Sequence, residues 1–181
     1  MTITTAADVL AFWRAAGPKK WFAKNDAFDA ELRTRFLATY ESAAAGKLSD
    51  WEATPEGALA LTIVLDQFPR NMFRHDARTF AADADARAVA DRALARGFDQ
   101  QVAGDEPMFF YLPFEHSEAM ADQERCCALF RAMGNADLLR WAELHADIIR
   151  RFGRFPHRNA ALGRTTTPDE KSYLDNDGFA G

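Results

Sequence analysis

A basic segment in the last quarter of the chain carries the side chains best suited to bind a ligand. Residues 148–164 (IIRRFGRFPHRNAALGR) include five arginines, one histidine and one asparagine, and no acidic residue. The whole chain has a formal charge of −5, so the residues outside this segment carry −10. Planar guanidinium groups form paired hydrogen bonds with carboxylates and phosphates. The segment therefore predicts a site for an anion.

The dipole of a helix accounts for only part of this positive charge. Arg150 and Arg151 fall at the carboxyl end of a predicted helix, where cations offset the partial negative charge of the backbone. The remaining cations lie in an irregular stretch interrupted by Gly153, Pro156 and Gly163. The predicted ligand-binding residues of this segment are Arg151, Arg154, His157, Arg158, Asn159 and Arg164.

A second polar group ends the most apolar stretch of the sequence. The run ALALTIVLDQF at residues 58–68 contains Asp66 and Gln67 on an otherwise apolar background, and the basic run RNMFR follows it. A buried carboxylate requires a hydrogen-bonding or charged partner. We expect Arg70 and Arg74 to provide this partner. The other side of the anion-binding cleft is expected to be closed by Asp66, Arg70, Asn71 and Arg74.

Several acids and histidines have the chemistry needed for proton transfer. The candidate catalytic residues are Asp66, Glu118, His145 and His157, because carboxylates and imidazoles act as general acids and bases. His116 and Gln123 are further ligand-binding candidates, and Ser117 between them is a candidate helix N-cap. The spacing of these residues matches no known metalloprotease or zinc-binding pattern, so neither a metal nor a cofactor is predicted.

The elements that position these residues are predicted to be helices. Candidate N-caps are either Thr4 or Thr5 for the first helix, and Asn25 and Asn135 for two later ones. Thr54-Pro55-Glu56 and Thr167-Pro168-Asp169-Glu170 each combine a cap, a proline and acidic residues. Phe68-Pro69 is expected to end the apolar helix. No stretch alternates with the period of a strand. We predict one all-α domain over residues 1–181, with about seven antiparallel helices and a frayed end from about residue 175.

Composition excludes several classes of protein. The chain has no apolar run near 18 residues, so no membrane span is expected, and its first residues lack the pattern of a signal peptide. A net charge of −5 and a pI near 5.4 argue against binding to nucleic acid or an anionic membrane. Cys126 and Cys127 are adjacent and are expected to be reduced thiols, which is typical of a cytoplasmic protein.

Four segments together resemble a known family. They are WF at residues 21–22, LDQFPRNMFR at 65–74, YLPFEHSE at 111–118 and HADIIRRFGRFPHRNAALGR at 145–164. Over residues 8–175 the chain is similar to the bacterial family catalogued as domain of unknown function 924. The resemblance implies an all-α fold of helix pairs in a tetratricopeptide-like right-handed superhelix, and it implies no agreed reaction. It also covers each candidate residue named above.

Three functions are compatible with these residues. The first is a binding protein whose groove, lined by arginine, histidine and asparagine, holds an anionic small molecule or an acidic peptide terminus. The second is an enzyme that performs acid–base chemistry on an anionic substrate. The third is a structural or protein-interaction scaffold in which the motifs form a salt-bridge network, and the oligomeric state, a dimer included, stays open.

Overall fold

The chain is helical wherever the structure has regular secondary structure. The structure is a computed structural model that describes residues 3–176 and 178–179. Nine α-helices lie in these residues, which confirms the all-α class and corrects the expected number from about seven. They are α1 Ala6–Ala16, α2 Pro18–Trp21, α3 Asp26–Ala44, α4 Pro55–Met72, α5 Asp83–Ala95, α6 Met108–Glu115, α7 Met120–Met133, α8 Ala136–Phe152 and α9 Pro168–Asp175.

Short 3-10 helices fall between several α-helices. They are Ser49–Ala53, Ala77–Phe80, Phe98–Gln100 and Pro156–Arg158. The chain divides into two compact units. Unit 1 is Met1–Arg74 with Arg78–Pro113, and unit 2 is His75–Ala77 with Phe114–Gly181. The single domain over residues 1–181 stays a prediction.

Helix α4 forms the centre of unit 1. It packs against α1, α3 and α5, which explains why its sequence is apolar nearly all round. Phe68 is fully buried, and its ring centroid lies 5.7 Å from that of Trp13 and 5.1 Å from that of Phe36. Aromatic pairs at these distances stabilise a core beyond the area they bury.

The predicted break at Phe68-Pro69 is wrong, because α4 continues through Pro69 to Met72. An internal proline costs a helix about 3 kcal/mol. Burial of Phe68 and Met72 at 0% and 4% exposure contributes about 1.5–3 kcal/mol for each side chain. The tertiary packing of α4 therefore outweighs the local preference of the proline.

Unit 2 contains α7, α8 and α9. Helices α7 and α8 pack side by side, and the apolar face of α8 buries Ile148 and Ile149 in a cluster with Phe155. Gly153 ends α8 with a positive φ of 70°, a conformation that L residues with a side chain rarely adopt. The turn at Gly153 therefore separates the helical start of the basic segment from its irregular part.

Helix α9 begins with the predicted cap. Thr167 accepts a hydrogen bond from the Glu170 N–H, and the Glu170 carboxylate accepts one from the Thr167 N–H. Gly178 and Phe179 lie beyond this helix, where the sequence predicts a frayed end, whereas Asp177, Ala180 and Gly181 are outside the described residues. None of the helices in the described ranges combines the length and the apolar character needed to cross a membrane.

Candidate functional site

Glu118 and Arg164, from the second and third motifs, form a paired ion bridge in unit 2. Both η-nitrogens of Arg164 donate to the Glu118 carboxylate, at 2.8 and 3.0 Å. Arg164 also donates to the backbone oxygen of Phe155 and to the Oδ1 of Asn159, each at 3.0 Å. The backbone N–H of Phe155 donates to Glu118 at 2.8 Å. Glu118 therefore anchors the basic segment at two points.

Arg154 and Glu170 form the second ion bridge of the same network. Arg154 donates to the two Glu170 oxygens at 2.5 and 2.8 Å, and to the Thr165 backbone oxygen at 2.8 Å. Asn159 donates to Glu170 at 3.1 Å. The network thus joins Glu118, Arg154, Asn159, Arg164 and Glu170 through one asparagine that contacts both bridges. We call these five side chains the motif network.

Both carboxylates of the motif network are held in the charged form. Burial alone raises the pKa of Glu118, but the hydrogen bonds from Arg164 and the Phe155 N–H outweigh it and place the pKa below the usual range. The hydrogen bonds from Arg154, opposed by burial and aided by the Thr167 N–H, lower the pKa of Glu170 to about 2. Neither carboxylate is poised to exchange a proton near neutral pH.

The low pKa of Glu170 predicts a loss of stability in acid. Its ordinary pKa is 4.5, so the stabilisation it contributes is fully present above that pH and disappears as the pH falls towards 2. We expect the urea midpoint of the wild type to fall more steeply over this range than that of Glu170→Gln. Glu124→Gln, which changes an exposed carboxylate of α7, is the control and should follow the wild type. Parallel curves for the wild type and Glu170→Gln would contradict the prediction.

Gln123 closes the turn between α6 and α7. Its side-chain Nε2 donates to the backbone oxygens of Glu115 and Ser117, each at 2.6 Å. The predicted helix start at Ser117 is wrong, because α7 begins at Met120 with Ala119 at the N-cap. Ser117 instead donates to Asp122 and accepts from the Ala119 N–H, so it caps the turn and not the helix.

Two histidines and two other aromatic side chains surround Phe179. The ring centroid of Phe179 lies 4.5 Å from that of His145, 5.3 Å from that of His157 and 6.5 Å from that of Trp141. The ring centroid of Phe155 lies 5.6 Å from that of His145 and 5.5 Å from that of His157. Phe155 belongs to the apolar cluster against which Phe179 packs. We call the side chains of Trp141, His145, Phe155 and His157 the aromatic recess.

His145 is held by a carbonyl and a carboxylate. Its Nδ1 lies 2.8 Å from the Trp141 backbone oxygen and 3.6 Å from Oε1 of Glu115. A carbonyl oxygen can only accept, so Nδ1 carries the proton in this arrangement. Glu115 and His145 are 5% and 7% exposed, so they form a buried carboxylate–imidazole pair.

Two arginines of unit 2 lie on aromatic rings. Arg158 donates to the His116 backbone oxygen at 2.9 Å, and its guanidinium carbon lies 4.6 Å from the Phe155 ring centroid. The guanidinium carbon of Arg151 lies 4.6 Å from the ring of Phe152 and 5.6 Å from that of Tyr173. Cation–ring contacts of this kind orient the fork of an arginine without neutralising its charge.

The residues of the first motif form a separate network within unit 1. Arg70 pairs with Asp83 at 2.9 and 3.2 Å and with Asp66 at 3.2 Å, and Gln67 donates to Asp66 at 2.7 Å. The Asp66 side chain is buried beneath these contacts.

Asp29 of α3 holds the other two residues of this motif. Asn71 donates to it at 2.8 Å, and Arg74 donates to it at 2.6 and 3.3 Å. The cleft that would combine these residues with those of the basic segment stays a prediction.

Both partners of the Asp66–Arg70 and Glu118–Arg164 bridges are residues that the sequence singled out, whereas the acids of the other bridges are not. Asp29, Asp83 and Glu170 did not stand out because acids on amphipathic helices are common. Glu115 lies in the quoted EHSE motif, and its place beside a histidine was the available signal. Among the described residues, no group of three or more His, Cys, Asp or Glu side chains is arranged to hold a metal ion.

Comparison with known proteins places the chain in a family. No curated protein matches it. A protein of unknown function from Agrobacterium tumefaciens, whose structure has been solved, is 49% identical in sequence. The match covers 94% of this chain and 96% of the Agrobacterium chain, and the two structures superpose with a TM-score of 0.91. The sequence profile of DUF924, described as a bacterial protein of unknown function, matches residues 9–178. The chain therefore belongs to this family of bacterial proteins of unknown function.

Proposed function

We propose that this protein binds a small anionic molecule, or the carboxylate of an acidic peptide terminus, in unit 2. The proposed site combines the aromatic recess with Arg151 and Arg158. The anion would accept hydrogen bonds from a guanidinium fork, and any flat group attached to it would pack among the rings of the recess.

The observation that carries this proposal is the environment of Arg151. In the basic segment, Arg150, Arg154 and Arg164 each have a carboxylate partner, namely Asp147, Glu170 and Glu118. Arg151 is exposed and has no carboxylate partner among the described residues, while the rings of Phe152 and Tyr173 support it. An arginine with this support keeps its charge and its hydrogen-bond donors for an external anion.

The ion bridges favour a structural role for the other predicted arginines. Arg154 and Arg164 would have to leave Glu170 and Glu118 to bind a ligand, and Arg70 and Arg74 are likewise held by acids of unit 1. Removing one partner of a paired, partly buried charge leaves the other charge uncompensated. The binding function is therefore assigned to Arg151 and the recess, and the motif network is assigned to holding the segment in shape.

Acid–base catalysis at the recess is a second candidate function. Its support is His145, whose Nδ1 is held by the Trp141 carbonyl and lies near Glu115. A general base is commonly oriented by such contacts on one ring nitrogen. Turnover of a bound probe that disappears in His145→Gln would favour this function. Binding without turnover would favour the binding protein.

We further propose that the helices form a tetratricopeptide-like superhelix and that the protein is cytoplasmic. Helices that follow one another pack side by side within the units, α3 with α4, α4 with α5 and α7 with α8, which supports the tetratricopeptide-like right-handed superhelix. We also assign the protein to the cytoplasm. The support is that Cys126 and Cys127 are both buried free thiols.

The binding proposal is tested by titration with phenylphosphate, benzoate and inorganic phosphate, followed by calorimetry and by the shifts of the histidine C2 protons. We expect Arg151→Gln to raise the Kd at least about fivefold, because a charge-assisted hydrogen-bond donor is lost. Arg150→Gln is the matched control, since Arg150 is the adjacent exposed arginine but pairs with Asp147. It should leave the Kd unchanged.

Two results would rule out the binding proposal. The first is an equal Kd for the wild type, Arg151→Gln and Arg150→Gln. The second is the failure of every probe to bind either the wild type or Phe179→Ala, a variant in which the ring that fills the recess is absent.

A further inference from the structure

Gly178 and Phe179 are seated on the side of α9. The Gly178 N–H donates to the backbone oxygen of Tyr173 at 3.0 Å, and the Phe179 N–H donates to the hydroxyl oxygen of Tyr173 at 3.0 Å. Both bonds end on one residue, so Tyr173 determines where the segment after α9 turns. We call Gly178 and Phe179 the α9 extension.

The backbone of the α9 extension approaches Tyr173 too closely for any residue but glycine at position 178. A Cβ atom on Gly178 would lie 2.3 Å from the Tyr173 backbone oxygen and 2.8 Å from two atoms of its ring. The extension therefore has a defined position on the helix. This position carries the Phe179 ring into the aromatic recess.

The ring of Phe179 contacts the recess through its histidines. The planes of His145 and His157 are inclined by 67° and 80° to that of Phe179, so both imidazoles meet the ring edge to face. Edge-to-face contacts are specific to flat, aromatic groups, because the edge of one ring is attracted to the face of the other. The recess is thus shaped for an aromatic ring rather than for a branched aliphatic side chain.

The attachment of the α9 extension is slight enough to be reversible. Within the described part of the chain, it consists of the two hydrogen bonds to Tyr173 and the contacts of one ring that is only partly buried. Opposing these contacts is the conformational entropy lost when Gly178 and Phe179 are ordered. Contacts that slightly outweigh this entropy leave the extension seated in most molecules and released in a minor fraction, roughly a fifth or less.

We propose that Phe179 is an intramolecular occupant of the recess and that the external ligand of this site is an aromatic anion. The inference rests on the proposed function of the same site. An aryl carboxylate or aryl phosphate would place its ring where Phe179 lies and its charge near Arg151, which packs on Tyr173, the residue that holds the extension. Ligand binding then requires release of the extension. The apparent affinity is therefore the affinity of the open recess multiplied by the fraction of molecules in which the recess is open.

Removal of the Phe179 ring tests the competition. We expect Phe179→Ala to bind phenylphosphate and benzoate at least about fivefold more tightly than the wild type, because the competing ring is gone. The affinity for inorganic phosphate, which needs no ring site, should change less than about twofold. Phe22→Ala removes an exposed phenylalanine of unit 1 and is the matched control, which should bind as the wild type does.

Further probes identify the class of ligand. Cyclohexanecarboxylate, which has the charge of benzoate but no aromatic ring, should gain little from Phe179→Ala. The peptide acetyl-Asp-Gly-Phe, with its free carboxylate, should compete with benzoate if the natural anion is a peptide terminus. Its failure to compete assigns the site to small aromatic anions. An equal gain for cyclohexanecarboxylate and benzoate would overturn the assignment to an aromatic ligand.

Histidine modification tests the occupancy of the recess without any ligand. His145 and His157 should react several-fold faster with diethyl pyrocarbonate in Phe179→Ala than in the wild type, as mapped by mass spectrometry. The exposed His75 is the internal reference and should react at the same rate in both proteins. Unchanged rates for His145 and His157 would show that Phe179 covers neither of them, and the inference would fail.

The failures of the two proposals are distinguishable. Binding of phenylphosphate that depends on Arg151 but is unaltered or weakened in Phe179→Ala would keep the proposed function and overturn the competition. Binding that is insensitive to Arg151→Gln in both the wild type and the Phe179→Ala background would overturn the proposed function itself.

Discussion

Phe155→Ala is expected to lower the free energy of unfolding by about 3–5 kcal/mol, the range for deletion of a buried phenylalanine ring. Phe155 is 0% exposed and forms the apolar cluster of unit 2 with Ile148 and Ile149. Its ring also supports the guanidinium of Arg158, so the variant loses a cation–ring contact as well as buried area. Urea unfolding followed by circular dichroism gives the difference.

Phe152→Ala is the matched control for this variant. Phe152 lies three residues earlier, in the same segment, but it is only partly buried and packs at the edge of the cluster. Its removal should cost less than half as much, because less surface returns to water. Equal losses for the two variants would show that Phe155 is not the centre of this cluster.

Gln123→Met is expected to lower the free energy of unfolding by about 3 kcal/mol. The substitution keeps the length and approximate volume of a side chain that is 0% exposed. It leaves the backbone oxygens of Glu115 and Ser117 without the amide that now donates to both. Each buried acceptor left unsatisfied costs about 1–3 kcal/mol. Gln123 Oε1 has no partner among the described residues, so its loss offsets part of this cost.

Glu124→Met provides the control for Gln123→Met. It introduces the same side chain at the next position of α7, where Glu124 is exposed, and should change stability by less than about 0.5 kcal/mol. A loss for Gln123→Met no larger than that for Glu124→Met would mean that the turn between α6 and α7 does not depend on the amide. Urea unfolding of both variants in parallel decides the question.

The stability predictions and the binding predictions concern different side chains of the same motifs. Glu118, Arg154, Arg164 and Glu170 are expected to act on stability and on its pH dependence, because their charges are already paired. Arg151 is expected to act on ligand affinity, because no carboxylate of the described residues pairs with it and its guanidinium lies on the Phe152 ring. A family motif can thus combine residues that hold a segment in shape with a residue that the segment presents to a ligand.

Local features of the fold were predictable because their causes are local. Five predicted caps accept a hydrogen bond from the backbone N–H three residues later: Thr5, Asn25, Thr54, Asn135 and Thr167. For the first helix the sequence left Thr4 and Thr5 as alternatives, and the cap is Thr5. A capping side chain and the N–H it satisfies are neighbours along the chain, so the pattern of residues contains the whole interaction. The all-α class follows from the same caps together with helical periodicity.

The extent of the helices was predictable only in part. Pro69 was expected to end α4, and Ser117 was expected to begin α7. The packing of α4 against three helices carries it through Pro69, and the bonds from Gln123 hold the backbone at Ser117 in a turn. Both outcomes depend on atoms that are distant in the sequence or belong to another helix, and local propensity yields to such contacts.

The sequence by itself determined the helical class, the caps and the identity of the polar residues that matter. Only the tertiary structure decided how those residues are used: Arg154 and Arg164 are paired with acids, whereas Arg151 is exposed on two rings, although all three are arginines of one segment. The physical reason is that a charge acquires its role from the partner within hydrogen-bonding distance. Glu118 is 46 residues from Arg164 in the chain, and no periodicity encodes that contact.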